Sequence, residues 1–225
     1  MTRGEGSISS VFGFRPAPDT HGMHVLYALI ALCTIVELVL QLGQRGLIDV
    51  PRLRSVAYEN GAFWPGLMRD WLPNYPGQPW LMYITYGFLH GGLLHLLFNM
   101  LTLWSLGIAI LERVSTARFL ILYFGSMFGG GAVFALLSTS AQPMVGASGA
   151  LFGLAGAVLA WLWEDQPTLR MALRFAGRAV LILLAFNIVL HFLLAGQLAW
   201  ETHLGGFLTG WVLAIALNPD ADGRP

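Results

Sequence analysis

Six apolar runs divide the chain, at residues 24–42, 92–111, 119–137, 148–163, 179–198 and 204–217. A helix rising about 1.5 Å per residue needs about 20 such residues to cross a bilayer, so each run spans or nearly spans. The first is interrupted only by Glu37, and polar stops close the second (Glu112-Arg113), fourth (Glu164-Asp165) and sixth (Asn218-Pro219). Between the first and second runs lies a stretch too polar to span. It carries Arg45, Arg52, Arg54, Arg69, Asp49, Glu59 and Asp70, interleaved with Trp64, Trp71, Tyr75 and Trp80, aromatics suited to a membrane interface. Its middle, 53–72, reads as a short amphipathic helix lying on the surface. The pattern predicts an all-α polytopic membrane protein, a bundle of six transmembrane helices. A polar cytoplasmic segment, 1–23, precedes one membrane domain, 24–218, and a short polar tail, 219–225, follows.

Composition sharpens this picture. Of 225 residues, 56% are hydrophobic and 11% charged, against roughly 25% charged in a soluble domain, and mean hydropathy is +0.66. Net charge is zero, so nothing argues for nucleic acid as a partner. The single cysteine, Cys33, excludes an intramolecular disulfide. Residues 1–23 contain no apolar core of the signal-peptide kind, so the first run is expected to remain as a span. Arginine placement orients the bundle: Arg113 and Arg118 follow the second span and Arg170, Arg174 and Arg178 the fourth, while the loops after the third and fifth hold none. Both termini are therefore expected on the cytoplasmic side.

With that topology, spans two, four and six all start in the outer leaflet. His95 and Asn99 in span two, Ser148 at the head of span four and His203 at the entry to span six lie 13 to 17 residues before their cytoplasmic stops. That is roughly 20–25 Å above the inner boundary, so four polar side chains from three helices meet at one level. Spans four and six are short, which leaves loop backbone at bilayer depth, tolerated only within protein or a wet cavity. Gly149, Gly153 and Gly156 in one, and Gly206 and Gly210 in the other, let the two backbones approach closely.

Residue type then suggests the chemistry. Serine is a weak nucleophile until a base takes its proton, and histidine suits that role near neutrality. The negative charge that develops on an attacked carbonyl needs preorganised donors. Asn99, His95 and the backbone N–H of Ser148 can supply them. Glu201 is the only acid close to His203 in sequence, two residues earlier in the loop, so a Ser148–His203 dyad is expected rather than a triad. Phe152, one turn after Ser148, is positioned to stack on the His203 ring.

Together these residues resemble the rhomboid family of intramembrane serine proteases, over about 85–218. Gly146-Ala147-Ser148-Gly149 is similar to its G-x-S-G nucleophile motif. The run from His203 to Gly210, with Gly206 and Gly210, is similar to its histidine helix. The run Phe88 to Asn99, with His90, His95 and Asn99, is similar to the segment supplying oxyanion donors. The resemblance implies Ser148 as nucleophile, His203 as base, and His95 and Asn99 as oxyanion donors. It also implies cleavage of transmembrane protein substrates near their outer end, with span five and the first loop flanking entry, and no cofactor or metal. The expected location is the bacterial inner membrane. Three features depart from the pattern: Trp80-Leu81 replaces a Trp-Arg pair in the first loop, no Gly lies between Glu112 and Arg118, and Phe152 stands where bacterial members often have Tyr.

Other readings compete. Glu37 is expected to be a buried, hydrogen-bonded group facing the bundle, and His90 to satisfy backbone groups at the start of span two. Asn187 and His191 in span five form an i, i+4 pair at the depth of the site, making His191 an alternative base or an interhelical contact. A zinc site would need His95, His191 and His203 to converge. A catalytically inactive protein of the same fold that binds or escorts membrane clients would keep the glycine helices but would not require both Ser148 and His203. A transporter would be expected to show inverted repeats, and none is visible.

Overall fold

The computed structural model describes residues 20–193 and 199–217, without the side chains of 183, 184 and 186–193. Eight α-helices lie among the described residues: α1 (Thr20–Gln44), α2 (Leu53–Gly61), α3 (Gln78–Thr85), α4 (Leu93–Leu111), α5 (Thr116–Leu137), α6 (Ser148–Glu164), α7 (Leu169–Leu193) and α8 (Trp200–Ala216). Single 3-10 turns occupy Pro65–Met68 and Tyr86–Phe88. Three helices, α1, α4 and α5, are each long and apolar enough to cross a membrane.

Helices α1, α4 and α5 are apolar nearly all round, yet their faces differ. In α1 the buried positions are Gly22, Leu26, Leu29, Cys33, Glu37, Leu40 and Gly43, a helical stripe facing the bundle. The opposite face exposes Leu32, Ile35, Leu38, Val39 and Leu42. In α4, α5 and α8 large apolar side chains such as Phe98, Leu101, Phe128, Leu136, Leu208 and Val212 likewise point outward. So much contiguous apolar surface would be untenable in water, and it suits lipid. The inward faces use small residues, because lipid offers no hydrophobic drive for association and close packing has to hold the helices together.

That packing centres on α6, which lies against α8 and α5. A Cβ on Gly206 would collide with the carbonyl of Gly149, and one on Gly210 with that of Gly153. In α5, a Cβ on Gly130 would lie 2.9 Å from the Thr202 carbonyl of α8. At the far end Arg113 stacks over the Trp161 ring, 4.9 Å from its centroid, and meets Asp165 at 3.5 Å, while Trp161 Nε1 donates to the Ala214 carbonyl at 3.2 Å. Helices α4, α6 and α8 are thus tied together at the end away from Ser148.

Several boundaries differ from those the sequence suggests. The stretch 53–72 is not one helix: α2 stops at Gly61, and Phe63 forms an antiparallel bridge with Met144, each N–H donating to the other's carbonyl at 2.9 Å. Helix α7 starts at Leu169, ten residues before the apolar run, so Arg170, Arg174 and Arg178 belong to its first turns and are exposed. Helix α8 starts at Trp200, so His203 and Glu201 sit in its first turn and not in a loop.

Valine at position 210 tests the helix contact. Overpacking typically costs about 1–3 kcal/mol, so Gly210→Val is expected to lower the unfolding midpoint in detergent clearly. Val212→Ala, at a lipid-facing position, is expected to change stability by no more than about 0.5 kcal/mol.

Candidate functional site

The loop before α6 runs at the level where three helices begin, and its backbone groups need partners there. The first loop supplies them. Besides the Phe63–Met144 bridge, the N–H of Gly146 donates to the Tyr86 carbonyl at 3.0 Å, and the Tyr86 hydroxyl donates to the Met127 carbonyl at 2.7 Å. Gly146 has φ +122, a conformation glycine adopts freely. A Cβ there would also sit 2.7 Å from Cε1 and 2.9 Å from Nε2 of His95. The chain thus enters α6 with the His95 imidazole laid directly against it.

Ser148 is the first residue of α6. Its Oγ lies 3.0 Å from Nε2 of His203. The His203 ring stacks on Phe152 with centroids 4.0 Å apart and planes 11° from parallel, so the imidazole is held in orientation by packing. Gly149 makes room for this arrangement: a Cβ there would lie 2.6 Å from Cγ2 of Thr202 and 2.9 Å from the Tyr86 hydroxyl. Glu201 is buried too, but two residues along a helix are about 200° apart, which puts it away from the His203 face. Ser148 and His95 are partly exposed and neighbouring Gly91 is exposed, so the site opens where the first loop meets α4.

His95 accepts the Gly91 N–H on Nδ1 at 3.2 Å. Asn99, one turn later, donates from Nδ2 to the His95 carbonyl at 2.8 Å. Its buried Oδ1 meets no protein donor. The His90 ring is fully buried, edge-on to His95 at 5.4 Å, and meets the backbone of Phe88 where the first loop turns into α4. Glu37 is fully buried and hydrogen-bonded. The side chains of Asn187 and His191 lie outside the described residues. Among those that are described, no cluster of three or more His, Cys, Asp or Glu is spaced to hold a metal ion.

Sequence reasoning missed Tyr86, Phe63 and Met144, which fix the loop, and Arg54 and Tyr58, which fix the backbone of His90. None carries a motif. An aromatic just before the His90 to Asn99 segment was the one available hint.

Burial, with the His95 ring alongside, holds the His90 imidazole down at about 3. Burial also pushes the Tyr58 hydroxyl above its ordinary value, so it remains an O–H donor.

Comparison with known proteins adds a second line of observation. The Rhomboid domain profile matches residues 76–219. Rhomboid protease GluP of Bacillus subtilis (strain 168) is 33% identical over 139 residues, 62% of this chain and 26% of that protein. RHOMBOID-like protein 5 of Arabidopsis thaliana is 34% identical over 148 residues, 63% of this chain and 45% of that protein. Rhomboid-like protease 1 of Toxoplasma gondii is 28% identical over 165 residues, 73% of this chain and 54% of that protein. The aligned part of this chain therefore covers from about a quarter to just over half of the length of these relatives.

The His90 environment gives a pH dependence. Below about pH 6.5, the ordinary histidine value, the unfolded chain binds a proton at this position that the folded chain does not. The stability tied to His90 is therefore intact above about 6.5 and lost as pH falls from there toward 3. Unfolding midpoints measured from pH 8 to pH 4 are expected to fall less steeply for His90→Gln than for the unaltered protein, and equal slopes would contradict the assignment.

Proposed function

The chain belongs to the rhomboid family, and from that premise we propose that it is an intramembrane serine endopeptidase, hydrolysing transmembrane protein substrates near their outer end through Ser148 and His203. The observation that carries this reading is the 3.0 Å contact between Ser148 Oγ and His203 Nε2, with the imidazole stacked on Phe152. A hydroxyl and a base at that distance can pass a proton as the oxygen attacks.

In the proposed reaction Ser148 Oγ adds to the scissile carbonyl while His203 takes its proton. The carbonyl oxygen becomes an oxyanion and needs donors already in place. The Ser148 N–H, in the first turn of α6, has no intrahelical acceptor and lies at the positive end of the helix dipole. His95, whose Nδ1 accepts from Gly91, carries its remaining proton on Nε2, on the ring edge that lies against Gly146. Asn99 has a second Nδ2–H beyond the one given to its own helix. His203 then returns its proton to the leaving amine, and water entering from the partly exposed side releases the acyl group.

The same reading assigns six spans to the domain 24–218, with both termini cytoplasmic and the lipid bilayer and transmembrane substrates as partners. It places the protein in a bacterial inner membrane. Gly146, Gly149, Gly206 and Gly210 support the site by allowing close approach, and Phe152 supports it by stacking. No metal or cofactor takes part.

The test needs no substrate. Purified protein treated with a fluorophosphonate probe is expected to label in the unaltered form and to lose the label in both Ser148→Ala and His203→Ala, each still folded. An unaltered, folded protein that does not label with small, gate-permeant probes would favour the client-binding alternative. Labelling that survives His203→Ala but not His191→Ala would move the base to α7. Asn99→Ala is expected to slow labelling roughly 100- to 1,000-fold, the scale of one lost oxyanion donor.

A further inference from the structure

The peptide unit joining His90 to Gly91 is gripped from both sides. Its carbonyl accepts from Arg54 Nη1 at 2.9 Å and from the Tyr58 hydroxyl at 2.7 Å. Its N–H donates to Nδ1 of His95 at 3.2 Å. A trans peptide points its C=O and N–H in opposite directions, and the described residues contain no cis bond. Whatever fixes the carbonyl therefore aims the N–H.

Arg54 is itself fixed from α1. Its Nη2 donates to Oε1 of Glu37 at 2.7 Å and its Nη1 to Oε2 at 3.1 Å, a two-bond grip on a fully buried carboxylate. Gln41 Nε2 adds a donor to Glu37 Oε1 at 2.8 Å, and Arg54 Nε is occupied by Gln44 Oε1 at 3.0 Å. The Tyr58 oxygen accepts from Arg54 Nη1 at 3.2 Å, whose two hydrogens are thus shared among the Glu37, Tyr58 and His90 oxygens, while the Tyr58 proton goes to His90. A buried ion pair is weak evidence of stabilisation, because desolvation offsets its attraction. Its geometry, in contrast, is well defined, and here it ends on one backbone carbonyl.

We propose that Glu37, Arg54 and Tyr58 form a positioning clamp that turns the His90–Gly91 peptide so that its N–H occupies Nδ1 of His95, fixing that imidazole as the tautomer with its proton on Nε2. A neutral imidazole has one N–H and one acceptor, so filling the Nδ1 acceptor leaves Nε2 as the donor. The Cε1–Nε2 edge of the ring, and not Nδ1, lies against Gly146, two residues before Ser148. The clamp rests on the reading of His95 as an oxyanion donor and deepens it. The first loop and α1 thereby govern the site without touching substrate. Lysine at 54 could reach one acceptor but not hold the carboxylate and carbonyl together in one plane.

The tautomer can be observed directly. Protein carrying 15N-labelled histidine, in detergent micelles, gives long-range proton–nitrogen spectra that distinguish N–H on Nδ1 from N–H on Nε2, with His95 assigned by the signal lost in His95→Gln. The expected result is Nε2–H in the unaltered protein and a mixture of tautomers in Arg54→Gln and Tyr58→Phe. The rate of fluorophosphonate labelling at Ser148 is expected to fall roughly tenfold in both, less than deleting a donor outright costs, with no rescue by Arg54→Lys. An Nδ1–H tautomer in the unaltered protein, or an unchanged Nε2–H in both variants, would overturn the proposal and leave the clamp a purely structural contact. Should Arg54→Gln not fold, Tyr58→Phe decides alone, since it removes one oxygen and no packing. A protein that never labels would sink the peptidase reading, but the tautomer would still decide the clamp.

Discussion

The backbone contact between α6 and α8 governs everything above it. Gly206 lies against the Gly149 carbonyl and Gly210 against that of Gly153, one turn further in. These are carbonyl-to-Cα approaches that no residue with a side chain could make. Ser148 precedes Gly149 by one residue and His203 precedes Gly206 by three, so the separation of the two helix axes fixes how far apart their first polar side chains stand. The 3.0 Å distance between Oγ and Nε2 follows from the glycines below it as much as from the two residues themselves. In lipid this is also where association energy arises, because apolar side chains gain nothing by leaving one hydrocarbon for another.

Such close packing creates a difficulty for the loop that must deliver Ser148. Its backbone cannot hydrogen-bond to lipid, and the helix it enters has unsatisfied N–H groups at its start. The first loop resolves this by placing Phe63 and Tyr86 where their backbone groups pair with Met144 and Gly146. The aromatic rings of Phe63, Tyr83, Tyr86 and Phe134 pack edge to face around the same point. The first loop is therefore part of the membrane core's hydrogen bonding and not a lid laid upon it.

Much of this was visible in the chain. Ser148, His203, His95 and Asn99 stood out because polar groups are rare in apolar runs, and the glycine spacing marked the faces that meet. Helix ends were legible only where a charge or proline stops the run. Arg170, Arg174 and Arg178 read as loop residues, yet long side chains can reach toward the interface from a helix, so α7 begins well before its apolar stretch. The break after Gly61 was invisible because its cause, the bridge to Met144, lies some eighty residues away. His90 was expected to bond with backbone through its ring. The ring meets the Phe88 backbone, but the carbonyl also accepts from Arg54 and Tyr58, and no side-chain argument could have found that.

The placement of acids follows from the same constraint. A carboxylate beside His203 could orient the imidazole and stabilise its protonated form, but at bilayer depth it would need its own partners throughout the reaction. Phe152 orients the ring at no electrostatic cost, while Glu201 points to another face of α8. Glu37, the fully buried acid of α1, is neutralised by Arg54 and acts on the opposite side of the site, where its influence arrives through a peptide plane. In the proposed reaction the burden of charge stabilisation thus shifts from the base to the oxyanion. The buried Glu37–Arg54 pair thus serves to orient an oxyanion donor, while an aromatic ring orients the base.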